Sequence, residues 1–209
     1  MNKIKENIKD KKILIFSVCI FLFVILTYTV FNKKINILDT TVESFILGIR
    51  NNSFTNIMVI ITNISSAYAL LVISIILLVV IKKKHIPISI FINLLSVFLV
   101  SQLAKVIIQR PRPNGINLVD ATGYSYPSGH SMVSMAYFGF VTYLIYKNIN
   151  NKLLKTFLII LSFIIIVLIG FSRVYLGVHY ISDVIGGFLL SISYLMLFII
   201  FINFNKGVK

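Results

Sequence analysis

The chain has 209 residues, of which 58% are hydrophobic and only 12% charged, far more apolar surface than a soluble domain of this length needs. Twenty Lys and Arg stand against six Asp and Glu, for a formal net charge of +14, and these basic residues fall in short segments between apolar runs. That placement fits membrane topology and anionic headgroups, and it excludes nucleic-acid binding, which calls for a basic stripe interleaved with exposed aromatics.

Taken in chain order, the apolar runs predict six membrane spans, at about 13–31, 57–81, 86–108, 130–146, 153–171 and 180–203. The first holds the single cysteine, Cys19, so no disulfide forms within the chain. It lacks both a small residue just before the cysteine and a small-x-small cleavage site, and reads as a retained span. Between the first two spans, Leu38, Val42, Phe45, Ile46 and Ile49 recur at helical spacing opposite Asp39, Glu43 and Arg50. This predicts a short amphipathic helix on the outer surface, with Thr40 and Glu43 as a capping box. Thr62, Asn63, Ser65 and Ser66 predict a wet or broken first half for the second span. The expected fold is all-α: one polytopic domain over residues 1–209, six transmembrane helices and the amphipathic surface helix.

Charge placement orients the chain. With the N-terminus inside, Lys3, Lys5, Lys9, Lys11, Lys12, Lys82, Lys83, Lys84, Lys147, Lys152, Lys155, Lys206 and Lys209 are cytoplasmic. Lys33, Lys34, Arg50, Lys105, Arg110, Arg112 and Arg173 lie outside, so all four arginines share the outer side. Lysine suffices as a topological anchor, whereas the planar arginine fork suits phosphate oxygens.

Three polar clusters interrupt the apolar pattern: 105–113, 127–130 and 172–183. The first two share one loop. The chain then crosses through the fourth span and returns through the fifth, so Ser172 and Arg173 emerge on the same face. Lys105, Arg112 and Arg173 bring three cations to a largely apolar setting, which favours a ligand with spread negative charge, such as a phosphoryl group in transfer. Lys105 and Arg112 are seven residues apart and point the same way if the helix persists to Pro111. The Ser128 hydroxyl and Gly129 amide open a helix and can donate to an oxygen. His179 and Asp183, at i and i+4 on one helix face, form a pair in which the carboxylate fixes the tautomer and the other ring nitrogen is the nucleophile. His130 is then free to protonate the leaving oxygen and to activate water. Of the six acidic residues only Asp120 and Asp183 are expected near the site, too few for a magnesium or two-metal centre, and His85 lies on the other side. Singly, Lys105 and Arg173 also read as snorkelling anchors, and Tyr124, Tyr126, Tyr175 and Tyr180 as interfacial belt residues. Gly170, Gly186 and Gly187 read as sites of close helix packing.

Together these residues resemble the type 2 phosphatidic acid phosphatase superfamily, whose signature is Lys-x6-Arg-Pro, Pro-Ser-Gly-His and Ser-Arg-x5-His-x3-Asp. Lys105/Arg112/Pro113, Pro127–His130 and Ser172/Arg173/His179/Asp183 match it without a departure. The resemblance implies His179 as nucleophile, Asp183 as its orienter and His130 as general acid. It implies Lys105, Arg112, Ser128, Gly129 and Arg173 as phosphate ligands, with no metal or other cofactor.

The expected function is hydrolysis of a lipid phosphate or diphosphate at the outer face of a bacterial cytoplasmic membrane, in an N-in, C-in chain. Undecaprenyl diphosphate is the favoured substrate, in cell-wall carrier recycling, followed by phosphatidylglycerophosphate and phosphatidic acid. Two further readings are a lipid phosphotransferase, which shares the early steps, and a non-catalytic lipid transporter, which the one-sided polar cluster disfavours. The expected partners are the lipid substrate and membrane lipids, without nucleic acid or an obligate protein partner.

Overall fold

In hydrocarbon each backbone N–H and C=O must be satisfied within its own segment, so the apolar runs become helices. A computed structural model describes residues 2–115 and 117–207, with side chains for 9–115 and 117–203. Lys209 and the side chains of Lys3, Lys5 and Lys206 lie outside the described residues. The described residues form eight helices: α1 (Asn2–Phe31), α2 (Asn36–Ile49), α3 (Asn52–Ile64), α4 (Ala67–Val80), α5 (His85–Ile108), α6 (Gly129–Asn148), α7 (Lys152–Tyr175) and α8 (Ile181–Gly207).

Among the described residues, four stretches are long and apolar enough to cross a membrane: Lys9–Phe31, His85–Ile108, Lys152–Tyr175 and Ile181–Asn203. The expected second span is broken, as its polar run suggested. Ser65 turns back to Thr62, Ser66 caps α4 by accepting from the Ala69 amide at 3.1 Å, and the two helices meet at a bend of 49°. Counted as one span, the pair makes five. The sixth expected span, α6, has 20 residues but falls short in apolarity. Its place explains this. It packs between α5, α7 and α8, so Ser131, Ser134 and Tyr137 face protein, and no lipid-facing stripe is required of it.

The core centres on α6, where Met132, Ala136 and Phe140 meet Val97 of α5 and Phe198 of α8. Because lipid tails are as apolar as leucine, such a bundle coheres by close packing and interhelical hydrogen bonds. Ser191 Oγ donates to the Met132 carbonyl at 2.8 Å, and Ser74 Oγ donates to Tyr137 Oη at 3.3 Å. Gly187 permits a close approach to backbone, since a Cβ there would stand 2.9 Å from the Ser128 carbonyl oxygen. Gly170 and Gly186 are likewise filled against by Phe188 and Tyr126, as the close-packing expectation held.

The surface helix α2 exists, but it is turned differently from the expectation. Asp39 is buried at 2% exposure while Phe45 is 65% exposed. The carboxylate outweighs the apolar stripe because it meets a largely buried guanidinium, 11% exposed and described below. No capping box forms: α2 begins four residues before Thr40, whose hydroxyl donates back to the Asn36 carbonyl at 2.8 Å.

The alternating course of α5 to α8 brings the C-terminal ends of α5 and α7 to the same end of the bundle as the N-terminal ends of α6 and α8. Lysines mark the opposite end, where Lys12 and Lys147 both lie over the Tyr143 ring.

Candidate active site

α5 stops at Ile108 because Gln109 takes the left-handed conformation, with φ of 53°, and Pro111 cannot continue the helix. Arg112 therefore reaches the site from the following loop and not from the helix face that carries Lys105. The loop is fastened at several points. The Ser125 amide donates to the Arg110 carbonyl at 2.8 Å, and the Leu118 amide donates to the Leu176 carbonyl at 3.0 Å. Arg112 itself is spread over three carbonyls, donating to Thr122 at 2.7 Å, Gly123 at 3.0 Å and Val178 at 2.8 Å.

The end of α7 supplies the second wall. Arg173 lies in its last turn, 4% exposed, with Nη1 donating to Thr62 Oγ1 at 2.7 Å. A short turn then leads to His179. It passes through Gly177, whose φ of 78° is a conformation that side-chain-bearing residues rarely adopt. His179 thus precedes α8 and does not share a helix face with Asp183, as the sequence spacing had suggested. The pair still forms, in another way. Asp183 sits in the first turn of α8 and reaches back to accept from the Tyr180 amide at 2.9 Å, with His179 Nδ1 at 3.4 Å from the same oxygen. It is one half of a capping box, used to seat a histidine.

The imidazole tautomer follows from its neighbours. Arg112 Nη1 lies 3.2 Å from His179 Nε2, and a guanidinium has no acceptor, so Nε2 must present its lone pair. Nδ1 then carries the proton that faces Asp183. Burial pushes the His179 pKa down from 6.5 to about 4, with Asp183 acting in the opposite direction, so the ring is neutral at physiological pH.

These groups converge on one open cleft of about 580 Å³. Lys105, Arg112, Gly129, His130, Arg173 and His179 all line it, with Phe98 and Val133 as apolar wall. Ser128 and Asp183 stand behind the wall, both fully buried. Ser128 is the N-cap of α6, yet its side chain caps nothing; its Oγ accepts from Ser131 Oγ at 2.9 Å. The first amides of α6 have no partner within the helix, so its positive end faces the cleft. Two buried polar atoms in this wall, Ser101 Oγ and Arg173 Nε, have no hydrogen-bond partner among the described residues. Lys105 Nζ donates to the Tyr124 carbonyl at 2.6 Å, across the mouth. His85 is at the opposite end, beside Lys147 and Asn203.

Sequence reasoning missed several members. Thr62 orients Arg173, and Ser101, one helical turn from Lys105, adds a hydroxyl to the cleft. Asp39, expected on the polar outer face of α2, joins Asp183 through Arg110, which donates to them at 2.7 and 2.6 Å. Burial lowers the Arg110 pKa, but the two carboxylates outweigh it and hold the group above its ordinary value. Tyr126 and Tyr175 are fully buried and so are not belt residues. Tyr175 Oη instead accepts from the Asn51 amide at 3.1 Å, and Arg50 donates to the Tyr175 carbonyl. Among the described residues no three His, Cys, Asp or Glu side chains gather as a metal cluster.

An all-helical membrane protein with three cations, a helix N-terminus and a neutral, carboxylate-backed histidine around one cleft is fitted to hold a tetrahedral oxyanion beside a nitrogen nucleophile. The PAP2 superfamily model matches residues 86–206, and the chain belongs to this superfamily. It is 38% identical over 112 residues to phosphatidylglycerophosphatase B of Bacillus subtilis (strain 168), an overlap of 53% of this chain and 54% of that protein. It is 31% identical over 144 residues to undecaprenyl-diphosphatase of Sulfolobus acidocaldarius, 66% of each chain. The chain thus spans 54% and 66% of the length of these curated relatives. Among solved structures it is similar to the first transmembrane PAP2 type phosphatidylglycerolphosphate phosphatase from Bacillus subtilis, with a TM-score of 0.83 and 28% identity, covering 93% of this chain and 97% of that one. Aquifex aeolicus LpxE shares the fold, with a TM-score of 0.60 at 22% identity, over 77% of this chain and 94% of that one.

Proposed function

We propose that this chain is an integral membrane phosphatase that hydrolyses a lipid phosphate or diphosphate through a phosphohistidine on His179. The observation that carries the reading is the meeting of Lys105, Arg112, Arg173 and the His179 Nε2 lone pair on one cleft. The cations and the α6 amides take the non-bridging oxygens, with Ser128 and Ser101 hydroxyls close behind. Nε2 attacks phosphorus as the bond to the lipid-side oxygen breaks, and His130 gives that oxygen its proton. Asp183 stabilises the imidazolium that forms. Water then loses a proton to His130 and attacks phosphorus, the P–N bond breaks, and orthophosphate leaves with His179 restored. No step in this sequence needs a metal.

In this reading α6 is the sixth crossing, its polar content tolerated because protein surrounds it. The lysine-marked end is cytoplasmic, with both termini inside, and the cleft opens extracytoplasmically on a bacterial membrane. The substrate order suggested by the sequence is revised: phosphatidylglycerophosphate comes first and undecaprenyl diphosphate second. The greater identity and the structural likeness over 93% of the chain both attach to a phosphatidylglycerophosphate phosphatase. The test is a panel of phosphatidylglycerophosphate, undecaprenyl diphosphate and phosphatidic acid, with both free phosphate and lipid products measured. Hydrolysis predicts equimolar phosphate and dephosphorylated lipid, lost in His179→Ala. A new phosphorylated lipid in the presence of an acceptor lipid would instead mark a phosphotransferase.

A further inference from the structure

Arg110 lies two residues before Arg112, but it does not line the cleft. Its Nη1 donates to Asp183 Oδ1 at 2.6 Å and to Ser182 Oγ at 2.7 Å, while Nη2 donates to Asp39 Oδ2 at 2.7 Å. Asp39 accepts further from the Ser182 amide at 3.0 Å and from Ser182 Oγ at 2.7 Å. The guanidinium also lies over the Tyr180 ring, 4.2 Å from its centre. Both carboxylates are buried, Asp39 at 2% and Asp183 at 0% exposure.

A buried charge cluster of this kind is costly unless each group is fully hydrogen-bonded. Its organisation has a direct consequence for the histidine. Arg110 occupies Oδ1 of Asp183, which turns Oδ2 toward the Tyr180 amide and His179 Nδ1. The charges matter as well. With Arg110 alone, the carboxylate beneath His179 would be neutralised; with Asp39 present, one negative charge remains for the imidazole to face.

Resting on the phosphatase reading of the cleft, we propose that Arg110 and Asp39 are positioning residues for the reaction. Arg110 sets the rotation of the Asp183 carboxylate, and Asp39 holds Arg110 in place and balances its charge. Through Asp39 the surface helix α2, remote in sequence, becomes part of the machinery that orients the nucleophile.

The experiment compares wild type, Arg110→Gln, Asp39→Asn and the double variant, with phosphatidylglycerophosphate in detergent micelles as substrate and inorganic phosphate as product inhibitor. Arg110→Gln is expected to lower kcat on the order of 10- to 100-fold, as loss of groups that orient a reacting ligand does. KM and the phosphate inhibition constant stay within about twofold, because no residue on the cleft wall is altered. Asp39→Asn lowers kcat less, and the double variant is no worse than Arg110→Gln, since the two act in one network. The proposal is overturned by unchanged kcat, or by KM and phosphate inhibition weakening in step with kcat. It is equally overturned if both single variants lose their folded state, which would make the network merely structural. An Arg110→Gln enzyme with full activity beside an inactive His179→Ala refutes only the positioning role. A wild type that releases no phosphate from any lipid refutes the phosphatase reading, and the positioning role with it.

Discussion

Replacing Asp183 by asparagine keeps the volume of a fully buried side chain and changes only its hydrogen-bonding character. Asp183 accepts from three donors: Arg110 Nη1 at 2.6 Å, the Tyr180 amide at 2.9 Å and His179 Nδ1 at 3.4 Å. The asparagine amide must turn its NH₂ toward one side of this ring of donors. Facing Arg110, it sets donor against cation. Facing His179, it makes Nδ1 the acceptor and moves the ring proton to Nε2, which removes the attacking lone pair. Either way the imidazolium formed after attack loses its carboxylate. A carboxylate-to-amide change behind a catalytic histidine costs about 10⁴ in kcat in the Ser-His-Asp triad, or about 5 kcal/mol of barrier. We expect a fall of about 10³- to 10⁴-fold here, with KM within about threefold because the phosphate ligands are untouched. Phosphate release from lipid micelles at saturating substrate measures it. An Asp183→Asn enzyme that keeps kcat within about tenfold of wild type refutes the tautomer argument.

Further expectations follow from single features. Arg112→Lys surrenders a fork held by three carbonyls and is expected to lower kcat/KM by about 10- to 100-fold, because an ammonium cannot replace bidentate geometry; near-normal kcat/KM would show that charge alone suffices. His179 loses its lone pair on protonation, so the acid limb of kcat/KM is expected where pH drops through about 4, while loss of the His130 proton sets a separate alkaline limb; a pH–rate profile with its acid limb near 6.5 would mean that burial does not govern His179. Gly187→Ala places a Cβ 2.9 Å from the Ser128 carbonyl and is expected to cost about 1–3 kcal/mol of stability, read as a lower melting temperature, whereas Gly48→Ala meets nothing within 4 Å and is expected to be tolerated. Activity is expected to survive EDTA, and its loss with recovery on adding a divalent cation would reject the metal-free mechanism.

Much of the site was legible in the sequence because its residues sit at the ends of apolar runs, and alternating crossings force those ends together. Lys105, Gly129, His130, Arg173 and His179 needed only that topology to meet. The supporting shell was not legible, since it depends on contacts without local pattern. Thr62 meets Arg173 across 111 positions, and Asp39 meets Ser182 across 143. An aspartate on an amphipathic helix reads as solvent-facing, and no local pattern marks Asp39 as buried. A count could have found it: with only six acidic residues in the chain, an arginine set among apolar spans needs one as a partner. The end of α5 at Ile108 matches the span read at 86–108, but Gln109 gives no sign in sequence of the left-handed backbone that sends Arg112 into a loop. α6 shows the same limit from the other side, as hydropathy registers lipid exposure and a helix sheathed by its neighbours has little.

The mechanism stands on His179 Nε2 as the atom that takes the phosphoryl group. The most direct measurement is mass spectrometry of enzyme quenched in alkali, which preserves phosphohistidine, during turnover of phosphatidylglycerophosphate or undecaprenyl diphosphate. The mechanism predicts one PO₃ on the peptide that carries His179, absent from His179→Ala, and accumulating in His130→Ala with undecaprenyl diphosphate, whose phosphate leaving group departs without the His130 proton while water attack still needs that base. A phosphoryl group found on another residue, or steady turnover with none on His179 in either background, would contradict it.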